Sequence, residues 1–292
     1  MVHNVVNSIH ILVVIYGKEI SESKTLNSLL GLVTNGLHLT ILNNGPKIIE
    51  CNGPFFDSLV EKMATVRVEN KIENMPLSIA YNSFISENSD ADKYAFLDDD
   101  TELNQEYIDR LVDGFSDYDV ELPKIIASED RGVHYPVEFD VPVLELRRVD
   151  PRGAISIGSG LILTKGFVQK FSAKNKTLFN NNYALYGVDF SLFRNARKLL
   201  SKGMGFSYTS TVSLNHSLSR LQKGKISEHT KRERLYDTII SARHYPSLGY
   251  MKELVKAILV AVKHGQLPLA CHIIATYVKG YHPRCEPYLK RK

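Results

Sequence analysis

Residues Ile9–Tyr16 read I-H-I-L-V-V-I-Y, a run in which nearly every side chain is apolar and most are β-branched. A strand with one wet face alternates apolar and polar residues, so a run apolar on both faces belongs inside a sheet that is covered on each side. Alternating strands and helices supply that cover. Leu26, Leu29, Leu30 and Val33 follow at helical spacing, and Leu37–Leu42 is a second strand halted by Asn43-Asn44-Gly45-Pro46. Ala64–Val68 is a third strand, and a helix opened by Asn74 and Pro76 carries Leu77, Ala80, Tyr81 and Phe84 along one side. Tyr94–Leu97 is the fourth strand, and Ile108, Leu111, Val112 and Phe115 mark the helix after it. This rhythm predicts an α/β fold with a mostly parallel central sheet flanked by helices.

The fourth strand ends in a chemically loaded tip. Tyr94–Asp100 reads Y-A-F-L-D-D-D, an apolar run that stops at three consecutive carboxylates. Clustered aspartates at a strand tip build a hard-oxygen site for Mg²⁺ or Mn²⁺, ions that bind a few carboxylates together with substrate phosphates. The carboxyl ends of the strands are where open α/β sheets bind ligands. The residues therefore point to a metal-assisted enzyme acting on a phosphate-bearing substrate. Aspartates at a strand end also serve as loop acids or helix caps, and the residue types alone leave both readings open.

Beyond the tip the texture changes. Glu121–Pro151 carries four prolines and much charge, and reads as a long crossing segment with short strands. Ile155–Thr164 (I-S-I-G-S-G-L-I-L-T) reads as one glycine-interrupted strand, where small residues admit a ligand or another backbone. Phe190–Leu200 is a helix with Leu192, Phe193, Ala196, Leu199 and Leu200 on one face. After Arg220 the pattern is helical, with Met251, Leu254, Val255, Ile258, Leu259 and Val262 in a wide apolar stripe.

Charge divides the 292 residues more sharply than the net +4 suggests: positions 220–292 hold 15 Lys/Arg against 5 Asp/Glu, whereas positions 1–219 are acidic on balance. Two domains are expected, 1–219 for catalysis and 220–292 as a basic helical extension. Such an extension could meet an anionic membrane leaflet or simply solvate a helical surface. It could equally pack on the catalytic domain or mediate a homo-oligomer. Nucleic acid is not expected as a partner, because stacking aromatics are not interleaved with the basic residues and the acidic part would repel a polyanion. Cys51, Cys271 and Cys285 are odd in number and irregularly spaced, as reduced thiols are. Residues 1–10 hold no basic segment leading into a long apolar stretch, and no run approaches 18 apolar residues. A cytoplasmic protein, peripheral on the inner membrane face where the basic helices bind lipid, is the expectation.

Gly158 and Gly160 make no dinucleotide fingerprint, since the third glycine and a helix start are missing. The histidines and cysteines after position 264 lack paired zinc spacing. Among other classes, an Asp-nucleophile phosphatase is disfavoured because Thr101 directly follows Asp100. A nucleotidyltransferase on a similar sheet would carry a glycine-rich basic loop after its first strand, and Gly17-Lys18-Glu19 is sparse for that role. A non-enzymatic binding protein using the basic C-terminal helices is the remaining alternative.

Taken in order, these segments resemble a family 2 glycosyltransferase of the GT-A (Rossmann-like) fold, bacterial rhamnosyltransferase-like in flavour, over about Ile9 to His216. Val13–Gly17 (V-V-I-Y-G) resembles the first-strand segment that contacts the nucleobase, and Leu42–Pro46 (L-N-N-G-P) the segment after the second strand. Asn74–Asn82 resembles the family's Asn-x-Gly…Ala-x-Asn helix start, and Leu97–Thr101 (L-D-D-D-T) its metal-binding Asp-x-Asp. Gly158–Thr164 resembles the acceptor-side strand, Tyr186–Leu192 (Y-G-V-D-F-S-L) the catalytic-base motif, and Asn215–Ser217 (N-H-S) the late histidine. The chain departs from the pattern at Asn43, where Asp is common, at Pro76 for Gly, at Tyr81 for a basic residue, and at Ser191 for a second acid.

The resemblance implies an inverting, metal-dependent transfer of a hexosyl or deoxyhexosyl group from a nucleotide diphosphate sugar to a hydroxyl of a glycan or lipid-linked glycan, as in polysaccharide or O-antigen biosynthesis. Asp98, Asp100 and His216 are then the ligands of Mn²⁺ or Mg²⁺, and Asp189 is the base. Val14, Tyr16, Asn43, Asn44, Asn74, Asn82, Asp98 and Asp99 are assigned to the nucleotide sugar. Ser159, Gly160 and Tyr186 are assigned to the acceptor or sugar side.

Overall fold

The structure is a computed structural model that describes residues 8–34, 36–114, 117–218, 220–221 and 226–290. Compactness divides the described residues into two units, one within 1–74, 83–176 and 196–222, the other within 75–82, 177–195 and 223–292.

The first unit is built on a sheet. The chain runs through β1 (Ile9–Ile15), α1 (Lys24–Gly31), β2 (Leu37–Asn43), α2 (Pro54–Lys62), β3 (Thr65–Asn70), α3 (Leu77–Glu87), β4 (Lys93–Asp98) and α4 (Gln105–Val112). Short strands follow: β5 (Val120–Glu121), β6 (Lys124–Ala127), β7 (Val133–Tyr135), β8 (Val137–Glu138), β9 (Val141–Pro142), β10 (Arg147–Val149), β11 (Ala154–Ile155) and β12 (Ile162–Thr164). Then come α5 (Lys165–Ser172), α6 (Val188–Leu200), β13 (Tyr208–Ser210) and β14 (Ser213–His216). The main sheet has eight strands in the order β10-β13-β5-β12-β4-β1-β2-β3. Its β4-β1-β2-β3 half is parallel, and β12 inserts antiparallel between β4 and β5. Ile11, Val13, Ile15 and Ile41 are fully enclosed, as strands apolar on both faces require.

Caps fix where the helices begin. Ser23 accepts from the Leu26 N–H and Asn104 from the Tyr107 N–H, each satisfying a donor that a first turn leaves orphaned. At the far end α1 stops at Gly31, earlier than the sequence spacing suggests. Val33 lies beyond it, exposed, with its N–H donated to the Gln105 side chain. Phe115, expected on the helix after the Asp tip, lies outside the described residues.

One sequence expectation is corrected. Ile155–Thr164 is not a single strand: β11 pairs with β8 in a separate small sheet, and β12 belongs to the main one. Gly160 sits at φ +90°, outside the strand region, and the Leu161 N–H closes a turn on the Gly158 carbonyl at 3.1 Å.

The second unit carries the start of α3 as far as Asn82 and the start of α6 as far as Asn195, then α7 (Glu228–His244), α8 (Leu248–Lys263), α9 (Leu267–Lys279) and the short α10 (Glu286–Leu289). Ile239, Ala242, Leu254 and Ile273 form a buried cluster that draws α7, α8 and α9 together.

Candidate metal centre at the end of β4

The parallel register aligns the carboxyl ends of three strands. Val14 of β1 pairs with Leu42 of β2 and with Asp98 of β4, and Ile15 pairs with Asn43. Val14, Asn43 and Asp98 therefore share one edge of the sheet, with Tyr16 and Asn44 just past it. That edge is where open α/β sheets offer their ligand crevice.

β14 delivers the remaining group. It pairs with β6, and the Glu102 N–H bonds the Asn215 carbonyl at 2.9 Å, which brings His216 against the tip. His216 Nδ1 lies 3.2 Å from Asp100 Oδ1, and its Nε2 lies 4.0 Å from Asp98 Oδ2. One ligand atom from each of Asp98, Asp100 and His216 lies within 4.8 Å of the others, the only such trio among the described residues.

A hydroxyl network holds His216 and the Asp98 backbone in place. Thr101 Oγ1 is 2.9 Å from His216 Nδ1 and 2.6 Å from Ser159 Oγ, and Ser159 Oγ accepts the Asp98 backbone N–H at 2.9 Å. With its ring hydrogen on Nδ1, His216 donates to Thr101 and keeps the Nε2 lone pair on the Asp98 side. Outer partners of this kind fix the tautomer and aim of a metal-ligating histidine. Thr25, at the start of α1, donates its hydroxyl to the Thr101 carbonyl at 2.9 Å and accepts the Thr101 N–H at 3.0 Å. The tip is thus tied to both α1 and the 158–161 turn.

Enclosure by protein pushes the Asp98 carboxyl up to about 6; the neighbouring Asp100 and Asp99 charges add to this and His216 opposes it. Asp100 is raised as well, chiefly by burial. Its Oδ1 is buried and has no hydrogen-bond partner. Two crowded carboxylates and an imidazole, one oxygen unsatisfied, suit a divalent cation: Asp oxygens match Mn²⁺ or Mg²⁺, and imidazole extends the range toward transition metals. The donor set fits the ion.

The other residues of this unit have defined surroundings. The Asp99 side chain turns to Lys18, whose Nζ donates to its Oδ1 at 2.8 Å. Asn43 is bonded to its own loop and to the end of β3, donating to the Lys47 carbonyl and the Asn70 side chain and accepting the Gly45 N–H. Asn44 Nδ2 reaches the Asn74 side-chain oxygen at 3.3 Å, and Asn74 sits at φ +56°. Val14 is buried and Tyr16 is half exposed. Ser159 belongs to the hydroxyl network, and Gly160 supplies the left-handed turn beside it.

Asp189, Tyr186 and Asn82 belong to the second unit. Asp189 stands in the first turn of α6, where the helix dipole favours a carboxylate. Gly187, two residues earlier, is at φ +83°, and a Cβ there would lie 2.3 Å from Asp237 Oδ1. Tyr186 lies beneath the Arg234 guanidinium, 5.5 Å from its ring centre. Asn82 donates to the Phe179 carbonyl and the Asn181 side chain and accepts the Phe179 N–H, which braces α3.

The sequence alone assigns Thr25, Thr101 and Lys18 no part in the site. Thr101 had one available cue, its place directly after the third aspartate.

No family profile matches the chain, and no curated protein does. Solved structures do. GalNAc-T7 with UDP, GalNAc and Mn²⁺ superposes with a TM-score of 0.57 at 12% identity, over 87% of this chain and 51% of that one. TarS of S. aureus does so with a TM-score of 0.51 at 13% identity, over 96% of this chain and 50% of that one. Its 1–349 fragment in complex with UDP-GlcNAc gives 0.50 at 13% identity, over 96% of this chain and 83% of that one. The chain spans about half the length of GalNAc-T7 and of full TarS. With the eight-stranded sheet already described, these likenesses give the chain its fold: it is the GT-A glycosyltransferase fold.

Proposed function

We propose that this protein is a glycosyltransferase that moves a sugar from a nucleoside diphosphate donor to a hydroxyl of a glycan or lipid-linked glycan, with inversion at the anomeric carbon. The observation that carries the reading is the gathering of Asp98, Asp100 and His216 within 4.8 Å at the carboxyl end of β4. The neighbours seen with UDP-GlcNAc and with UDP and Mn²⁺ lend it support.

Each residue then has a task. Asp98, Asp100 and His216 would hold Mn²⁺ or Mg²⁺, an ion that when bound would supply charge neutralisation to the departing diphosphate. Thr101 keeps His216 aimed. Val14, Tyr16, Asn44, Asn74 and Asp99 border the nucleotide, while Asn43 shapes the loop beside it from within. Ser159, Gly160 and Tyr186 serve the sugar and acceptor. Asp189 accepts the acceptor hydroxyl's proton as that oxygen bonds to the anomeric carbon and the carbon–diphosphate bond breaks. A positioned base of this kind contributes about 10²–10⁴-fold in rate. One base opposite the leaving group gives inversion, by the geometric logic that separates the two glycosidase classes. The rhamnosyl flavour of the sequence makes a thymidine diphosphate deoxyhexose the first donor to try.

The test is a thermal-shift panel of nucleoside diphosphates, with and without Mn²⁺ or Mg²⁺. A ligand bound only by the folded chain raises the melting temperature by mass action. The reading expects one base to stabilise more than the others, and only with the divalent ion. Equal response to every nucleotide, with or without the ion, would overturn it.

A further inference from the structure

The outward side of α8 is built for a partner that the sugar-transfer reading does not use. Leu248 is 82% exposed, Leu259 62%, Val255 50% and Val262 48%. At about 100° of rotation per residue these four fall within an arc of about 60° along the helix. Lys252, Lys256 and Lys263 occupy the neighbouring arc and line one groove with Leu248, Val255 and Leu259. Leu254 and Ala261, on the opposite flank, are buried, and Leu254 joins the core with α7 and α9. The exposed stripe is therefore additional to the apolar face that holds the helices together. α9 carries a stripe of its own, with Leu267, Ile274 and Val278 all largely open.

The charge beside this stripe has one sign. Glu253 is the sole acid between positions 248 and 279, and it is already paired with Lys256 at 3.4 Å. A second copy docking antiparallel about a two-fold axis would bring lysine row against lysine row. An anionic bilayer matches both features, taking the apolar side chains between its chains and the ammonium groups at its headgroups. The helix would lie in the surface rather than cross it. Its 16 residues span about 24 Å, less than the roughly 30 Å of a hydrocarbon core, and no helix among the described residues is long and apolar enough to cross a membrane.

We propose that α8 docks in the plane of an anionic lipid surface, with Leu248, Val255, Leu259 and Val262 in the acyl boundary and Lys252, Lys256 and Lys263 on the headgroups. This surface is independent of the metal centre, so either reading can fail without the other.

Co-sedimentation of the full chain with phosphatidylglycerol vesicles, and in parallel with phosphatidylcholine vesicles, tests it. Binding to the first, little to the second, and loss of binding at high salt are expected. Val255→Ser with Leu259→Ser weakens binding by at least about tenfold, and Lys252→Gln with Lys263→Gln does so at low salt. All four positions are exposed, so the melting temperature should stay at the unmodified value. A chain that stays in the supernatant with both vesicles overturns the proposal. So does equal binding by the serine variant, or a doubled solution mass that the serine variant reverts without any change in lipid binding.

Discussion

Thr101 and His216, 115 positions apart, are joined by a 2.9 Å contact between Oγ1 and Nδ1 that holds the imidazole beside Asp98 and Asp100. The bond ties the tip of β4 to the end of β14. It also gives a threonine that no metal would touch a measurable part in metal affinity.

Thr101→Val should therefore keep the fold while loosening the histidine. Removal of such an outer partner typically lowers metal affinity about 10–100-fold. Isothermal titration with Mn²⁺ reads this directly. Thr101→Ser, which restores the hydroxyl, should recover most of the loss.

Asp189→Asn should abolish sugar transfer while sparing donor binding. A base contributes about 10²–10⁴-fold, so turnover in single-turnover assays should fall by that factor. Nucleotide-induced thermal stabilisation should be unchanged. Full turnover in this variant would remove Asp189 from the reaction.

On the proposed function, proton and metal compete at Asp98. Its carboxyl is pushed from 3.8 up to about 6, so between those values the folded chain holds a proton that the unfolded chain has lost. The sign follows: stability of the metal-free protein from this group falls as pH rises through that window, because folding then crowds unprotonated carboxylates together. A divalent ion relieves that crowding. The rise in melting temperature caused by Mn²⁺ should grow as pH passes about 6 and level off above it, and Asp98→Asn should flatten the profile.

The parallel half of the sheet and its aspartate tip were legible because burial on both faces forces continuous apolar runs, and a run that ends in Asp-Asp-Asp is rare enough to notice. The strands from β5 to β11 were not, since elements of two to four residues have no period to read. The break at Gly160 looked like an interruption in a strand, because sequence shows a glycine but not its φ of +90°. Asn43 illustrates a different limit: its residue type suits a nucleotide, yet its side chain is consumed by Lys47, Asn70 and Gly45. The roles of Thr25 and Thr101 are not legible in sequence, because Thr101 acts through a histidine 115 positions away and Thr25 acts through Thr101.

Glu121 is the clearest stability test in the first unit. It is fully buried and accepts from Arg110 Nε at 3.0 Å, Thr209 Oγ1 at 2.8 Å and the Thr211 N–H at 2.6 Å. Glu121→Leu would take this acceptor from the Thr211 N–H and the Thr209 hydroxyl and leave Arg110 only the more distant Asp113 and Asp117 carboxylates, at 3.8 and 3.9 Å. Leaving buried polar groups unsatisfied in this way costs about 1–3 kcal/mol. Chemical denaturation should report a loss of that size.

The most direct test of the account is the binding stoichiometry of Mn²⁺, read from its free-ion electron paramagnetic resonance signal in titrations of the unmodified chain and of Asp98→Asn with Asp100→Asn. One ion per chain in the first and none in the second is the predicted result. Equal binding by both would contradict the claim that the end of β4 holds the metal.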